Sequence, residues 1–176
     1  MKKGKGVLIM TTNNKNEINI TKRIEEDYEW AKRIELSILK ENKVIGWTNI
    51  WSFNIESIKN NIAEDYTFYM DEDTHMREKT AEFILNTINN RDCIYIDEIF
   101  VNKEYRGDGV GTYAINTIKN MYKNNYIVLY ASALDPDDKN IFINSDTDNA
   151  KKFLKKLDRF YKKLDFKNNG EIYYLD

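Results

Sequence analysis

The stretch EYRGDGVGTYAINTI, residues 104–118, constrains the fold more than any other part of the chain. Gly107, Gly109 and Gly111 are three of only seven glycines, and they fall within five residues. Ahead of them CIYIDEIFV, residues 93–101, reads as a strand. Behind them Val110, Ala114, Ile115, Ile118, Met121 and Tyr122 recur at helical spacing. Strand, glycine loop and helix in succession bring a helix N-terminus, bare of side chains, to the end of a strand. The N–H groups at such a terminus carry partial positive charge, and glycines let an anion's oxygens approach them. A flexible turn before a helix is the plainer alternative. Three glycines alternating with Arg106, Asp108 and Val110 favour the anion cradle.

The rest of the chain supplies a sheet for that unit. Ile34, Leu36 and Ile38 alternate, Glu41, Asn42 and Lys43 make a turn, and Val44, Gly46, Thr48 and Ile50 follow, so residues 28–53 read as a hairpin. A weaker strand precedes it over residues 18–24, and residues 54–72 are ambiguous. Asp73 is placed to N-cap a helix carrying Met76, Thr80, Phe83, Ile84, Thr87 and Ile88 on one face. YIVLYAS, residues 126–132, is apolar enough for a buried strand. Phe153, Leu154, Leu157, Phe160, Tyr161 and Leu164 then mark a third helix, and EIYYL, residues 171–175, a last strand. Antiparallel strands followed by β-α-β predict a mixed α+β sheet.

Several ligands are compatible with a glycine loop. A Walker loop needs Gly-Lys-Ser/Thr, and Gly111-Thr112 lacks the lysine. Gly109 to Ala114 does match the dinucleotide fingerprint G-x-G-x-x-A, with Asp135 near the end of the next strand. That turn should leave its strand at once, however, and residues 102–108 intervene; too little chain follows for the remaining strands. Arg106-Gly107-Asp108 is also the adhesion tripeptide, but nothing else has an extracellular character.

Arg106-Gly107-Asp108-Gly109-Val110-Gly111 is R-x-x-G-x-G, preceded by Asn102-Lys103-Glu104-Tyr105. It resembles the acetyl-CoA loop of the GNAT superfamily of N-acetyltransferases, V-x-P-x-Y-R-G-x-G-x-G, with Lys103 at the common proline. RFYKKLDF, residues 159–166, resembles the family's F-Y-x-x-x-G-F, with Asp165 at the glycine; if that site is a left-handed cap, Asp is among the few tolerated substitutes. The resemblance spans about half the chain, from Cys93 onward. It implies a GNAT-like, mostly antiparallel central sheet flanked by helices. It implies acetyl-CoA as co-substrate, with the amides of Gly107, Asp108, Gly109, Val110, Gly111 and Thr112 around the pyrophosphate, beside Arg106. It also implies Ile99, Phe100 and Val101 as the strand edge that pairs with pantetheine. Tyr161 becomes the acid that protonates the CoA sulfur, against the alternative of a plain core tyrosine. The front half departs from the family, because the two helices that normally separate its first two strands are missing.

Asp97 and Glu98 are adjacent in a strand that should be buried, where one would face the core unless a bulge re-aims it. Two such charges argue for a cleft, although salt bridges to lysines would also account for them. The resemblance offers both as proton acceptor, through water, or as anchors for a cationic amine, and leaves their roles unassigned. The expected activity is therefore acetyl transfer from acetyl-CoA to a primary amine, the acceptor small and cationic, polyamine-like or lysine-like. An acetyltransferase acting on a protein or a tRNA-linked amine, or a CoA-binding regulatory module without turnover, are the alternatives.

Charge and composition set the outer limits. A formal charge of −2 argues against a nucleic-acid or anionic-membrane binder, and the partner expected is a small amine, with a homodimer left open. One cysteine, Cys93, excludes an internal disulfide and suits a reducing, cytoplasmic setting; it reads as core rather than nucleophile. One histidine, His75, excludes the usual His-based metal sites, and no metal is expected. Residues 1–15 are expected as a disordered leader before a single domain over 16–176. The lysines and arginine on the back of the third helix, and the acidic residues Glu64, Asp65, Asp71, Glu72 and Asp73, read as solvated faces.

Overall fold

The computed structural model describes residues 6–8, 18–28, 30–57, 76–88, 92–132 and 147–176. Their strands are β1 (Gly6–Leu8), β2 (Ile18–Asp27), β3 (Ala31–Lys40), β4 (Lys43–Phe53), β5 (Cys93–Val101), β6 (Tyr126–Tyr130), β7 (Lys167–Asn169) and β8 (Ile172–Leu175). Helices α1 (Glu78–Thr87), α2 (Val110–Met121) and α3 (Asp148–Lys163) accompany them, with a short 3₁₀ turn at Lys103–Tyr105. The strands form one sheet in the order β1-β2-β3-β4-β5-β6-β8-β7. All pairings are antiparallel except β5 with β6, which α2 joins as a β-α-β crossover. This is the mixed α+β sheet expected.

The predicted hairpin is β3–β4. Its turn is Glu41–Asn42, both at positive φ (51° and 64°), the conformation that matches strand twist in two-residue loops. Asn tolerates that conformation readily; Glu41 is held there by the Lys40–Lys43 closing pair. The weaker strand is longer than expected, running Ile18–Asp27, and meets β3 after a three-residue turn in which the Tyr28 N–H donates to the Ala31 carbonyl (2.7 Å). No room exists there for the family's two intervening helices, as the sequence indicated. Within the expected leader, Gly6–Leu8 pairs with Lys22 to Ile24 as β1.

Strand alternation divides the core between two faces. Ile34, Leu36, Ile50, Ile94 and Ile127 point one way, where Ala114, Ile115 and Ile118 of α2 and Tyr161 of α3 cover them. Trp51, Phe53, Cys93, Tyr95 and Val128 point the other way, under Ala81, Ile84 and Leu85 of α1. Each fully buried Ile or Leu contributes about 1.5–3 kcal/mol of transfer free energy, so both faces are firmly held.

Three details differ from the sequence reading. Helix α1 begins at Glu78 with Arg77 as N-cap, not at Asp73, which lies outside the described residues. Its buried stripe is turned so that Ala81 and Leu85 are covered while Thr87 is exposed. Strand β7 was missed because Lys167–Asn169 is exposed throughout and offers no apolar signal. The basic back of α3, including Lys151, Lys155, Arg159 and Lys162, is exposed, as a solvated face should be. Among the described residues, no helix is long and apolar enough to cross a membrane.

Candidate active site

The site follows from two parallel strands that part company. Strands β5 and β6 are in register from Cys93↔Tyr126 to Ile96↔Leu129. Beyond that point β5 continues to Val101, whereas β6 ends at Tyr130. A cleft of about 240 Å³ opens in the gap, and Asp97, Glu98, Ile99, Phe100 and Val101 form one wall of it. Leu129 to Ser132 form the opposite wall, with Phe153, Leu157 and Tyr161 of α3 and with Arg106.

The carboxylate pair owes its placement to a bulge. Asn49 pairs with Glu98 but Ile50 pairs with Ile96, so Asp97 is the extra residue on β5. Ile94 and Ile96 belong to the α2/α3 face, as do Ile99 and Val101. The three-residue step from Ile96 to Ile99 leaves both Asp97 and Glu98 half-buried in the cleft lining, so neither enters the core. Gly46 of β4 lets β5 run this close: a Cβ there would stand 2.5 Å from the Phe100 carbonyl oxygen.

The glycine loop takes the form its sequence requires. Gly107 (φ 93°) and Gly109 (φ 80°) are left-handed, and a Cβ at either would have no atom of the described residues beyond its chain neighbours within 4 Å. Gly109 is the N-cap of α2 and supplies no side-chain cap; the first helical bond runs from the Tyr113 N–H to the Gly109 carbonyl (2.9 Å). The amides of Val110, Gly111 and Thr112 therefore precede the helical ladder and face an open approach. Val110 plants its side chain in the core, and Gly111 sits 3.5 Å, at its would-be Cβ, from Phe160 of α3. The Arg106 Nε donates to the Val101 carbonyl (2.8 Å), and its guanidinium lies 5.6 Å from the Phe100 ring centroid. Arg106 lines the cleft together with Ile99, Phe100 and Val101, whereas Gly107 to Thr112 lie on the loop that leads from it into α2. An uncapped helix start, two open left-handed glycines and a strand edge left unpaired among the described residues together fit a phosphate-bearing ligand with an extended arm.

Tyr161 is placed by the end of α3. The Phe166 N–H donates to the Tyr161 carbonyl and the Asp165 N–H to the Lys162 carbonyl (both 3.1 Å), with Asp165 left-handed at φ 66°. This is a Schellman motif, and the Tyr161–Phe166 ring contact (5.7 Å between centroids) is its apolar clasp. The glycine position of the F-Y motif is thus a left-handed cap, occupied by Asp. The ring of Tyr161 packs with Phe160 and Tyr173 and is 9% exposed, while the residue lines the cleft. Burial, and secondarily Tyr173, push its pKa well above the ordinary tyrosine value, so the hydroxyl keeps its proton. Cys93 is fully buried, and burial followed by the Asp92 charge pushes its thiol up, which fits a core residue.

On the α1 face the cleft has residues that sequence reasoning did not single out. Tyr130 lines it, donates to a Glu171 carboxylate oxygen, and carries the Arg77 guanidinium 4.5 Å from its ring centroid. Burial and that hydrogen bond push Tyr130 up to about 12. Tyr95 lies beneath, raised by burial and then by the nearby Asp97 charge. Tyr130 at the end of an apolar strand was a readable signal; Arg77 had none. His75 and the acidic residues from Glu64 to Asp73 lie outside the described residues.

The chain matches the acetyltransferase (GNAT) family over residues 10–141 and belongs to that family. The match takes in β2 through β6 and the glycine loop, and stops before α3 and Tyr161. No curated protein matches the chain. The family transfers acetyl groups, generally from acetyl-CoA.

Proposed function

We propose that the protein is an acetyl-CoA-dependent N-acetyltransferase whose acceptor is a small cationic primary amine. The observation that carries this is a cleft at the parting of β5 and β6 whose lining brings Asp97 and Glu98 together with Tyr161 of α3. The amides of Gly107 to Thr112 and the Arg106 side chain would hold the cofactor's phosphates, and the β5 edge from Ile99 to Val101 its arm. Acetyl-CoA, when bound, supplies an acetyl group already activated as a thioester.

The residues divide the proton work. An ammonium is inert until it loses a proton, and the carboxylates of Asp97 and Glu98 attract it and accept that proton directly or through water. The amine nitrogen then forms the new C–N bond as the C–S bond breaks, and the second proton it sheds leaves through water, balancing the one that Tyr161 gives to the sulfur and later regains. Tyr161 lines the cleft, and its O–H would donate to the sulfur as negative charge develops there. Its raised pKa does not disqualify it, because the desolvation that penalises tyrosinate also penalises a thiolate in the same cleft. The apolar walls of Phe153, Leu157 and Leu129 exclude water that would otherwise hydrolyse the thioester.

The test is binding followed by turnover. Acetyl-CoA should raise the melting temperature where NAD does not, and amines should release free thiol. Gly109→Ala adds a Cβ into space clear of protein atoms, so the fold survives at a cost of about 1 kcal/mol while the phosphate approach is obstructed. The melting shift should largely disappear in that variant. Normal acetyl-CoA binding by Gly109→Ala would remove the loop from the cofactor site. Binding without thiol release on any amine would leave a CoA-binding module.

A further inference from the structure

Against one lining residue of the cleft, Tyr130, stands a cation that acetyl transfer leaves without a role. Arg77 stands at the N-cap of α1, an exposed position, with its guanidinium 4.5 Å from the centroid of the Tyr130 ring. Tyr130 shares the cleft lining with Asp97 and Glu98. Its ring is steadied from behind, since its hydroxyl donates to Glu171 and the backbone N–H of Ala131 donates to the Glu171 carbonyl (2.9 Å). On the Tyr95 hydroxyl, raised chiefly by burial, the two charges act in opposite senses, Asp97 raising its pKa and Arg77 lowering it. The cleft lining therefore holds two carboxylates and, against Tyr130, meets one pre-positioned guanidinium.

We propose that Arg77 recognises a carboxylate on the acceptor, so that the substrate is a zwitterionic diamine of the amino-acid class rather than a simple polyamine. A polyamine is cationic at every polar group, and Arg77 would repel it at the wall where Tyr130 stands. An acceptor with one free ammonium near Asp97 and Glu98, and a carboxylate beyond, meets opposite charge at both ends. Arginine suits the task because its planar fork holds a carboxylate through two parallel hydrogen bonds. Stacking on Tyr130 orders the guanidinium beforehand, which lowers the entropy lost on binding. The inference rests on the acetyltransferase reading and deepens it, assigning Arg77 to specificity rather than to chemistry.

Lysine and 1,5-diaminopentane differ only by the carboxylate, so their comparison isolates the contact. Wild type should favour lysine in kcat/KM by about 10-fold or more, the usual scale of one charge-assisted pair. Arg77→Met keeps the alkyl stem against Tyr130 and removes the charge; the lysine-to-diaminopentane ratio should collapse about 10-fold, through the KM of lysine. Arg77→Lys, which restores a point charge without the fork, should recover part of the ratio. A wild-type preference for diaminopentane would overturn the proposal. So would a parallel fall for both amines in Arg77→Met with the ratio kept, which would make Arg77 a clamp between α1 and β6. Acetylation of neither amine, with the acetyl-CoA melting shift intact, overturns the zwitterionic acceptor and spares the cofactor reading. Loss of the melting shift itself would instead bring down the reading beneath it.

Discussion

Tyr161 shows how one residue serves two masters within a single ring. Its carbons are core: they pack on Phe160, Phe166 and Tyr173, and removing the ring would open a cavity. The residue also lines the cleft, and the proton proposed for catalysis is the hydroxyl's, so Tyr161→Phe separates the two roles. The variant should melt close to wild type and keep its acetyl-CoA shift. Its kcat should fall about 100-fold or more, the usual scale for losing a general acid. Because burial raises the Tyr161 pKa, the hydroxyl stays protonated past the ordinary tyrosine value of about 10, so it imposes no alkaline limb on the rate below that pH. Full turnover by Tyr161→Phe, measured as thiol release, would hand the proton to water and return the tyrosine to the core.

At the scale of elements, the Schellman turn after α3 fixes where that hydroxyl lies, and it uses a residue poorly suited to it. Asp165 holds φ 66°, which a glycine adopts without strain. Its compensation is a 3.3 Å pair with Lys119, but the Asp165 side chain is 85% exposed, so that pair contributes little. Lys119 also donates to the Leu164 carbonyl (2.9 Å), a bond independent of the side chain at 165. Asp165→Gly should therefore stabilise by about 1 kcal/mol, or ~2–4 °C for a chain of this size, with activity retained. A lower melting temperature would show that the Lys119 pair matters more than backbone strain. This turn was legible in the sequence because a short motif encodes a local conformation. So was the β5–loop–α2 unit, whose glycines and apolar spacing are local signals too. The Asp97 bulge was not, since the residue left over is decided by how β4 pairs with β5. Nor was the Arg77–Tyr130 contact, which exists only once α1 is laid across the sheet beside β6. Strand β7 escaped for the opposite reason: its pairing with β8 is set by the Gly170 turn (φ 67°) and not by any buried side chain.

Across the whole molecule, titratable groups are buried on both faces of one sheet, and this couples stability to alkaline pH. Cys93 and Tyr95 lie in the core under α1, and Tyr161 lies in the core under α2 and α3. Burial raises all three pKa values. In the unfolded chain the thiol releases its proton near about 8.5 and each phenol near about 10. Above those values the folded state binds more protons than the unfolded state, so stability falls as pH rises. The contribution is complete below about pH 8 and is lost from there upward, first through Cys93 and then more steeply through the tyrosines. Each group adds a slope of about 1.4 kcal/mol per pH unit once its unfolded form has ionised. Because the strands connect both faces, the loss should appear as one cooperative transition and not as the failure of one layer. Denaturant titrations at pH 7, 9, 10 and 11 measure the slope directly. Tyr95→Phe should leave the curve unchanged up to about pH 9 and flatten it by one proton's worth above pH 10. If the variant kept the full wild-type slope above pH 10, Tyr95 would be ionising in the folded protein, and the packing that buries it beside Asp97 would have to be looser than the structure shows.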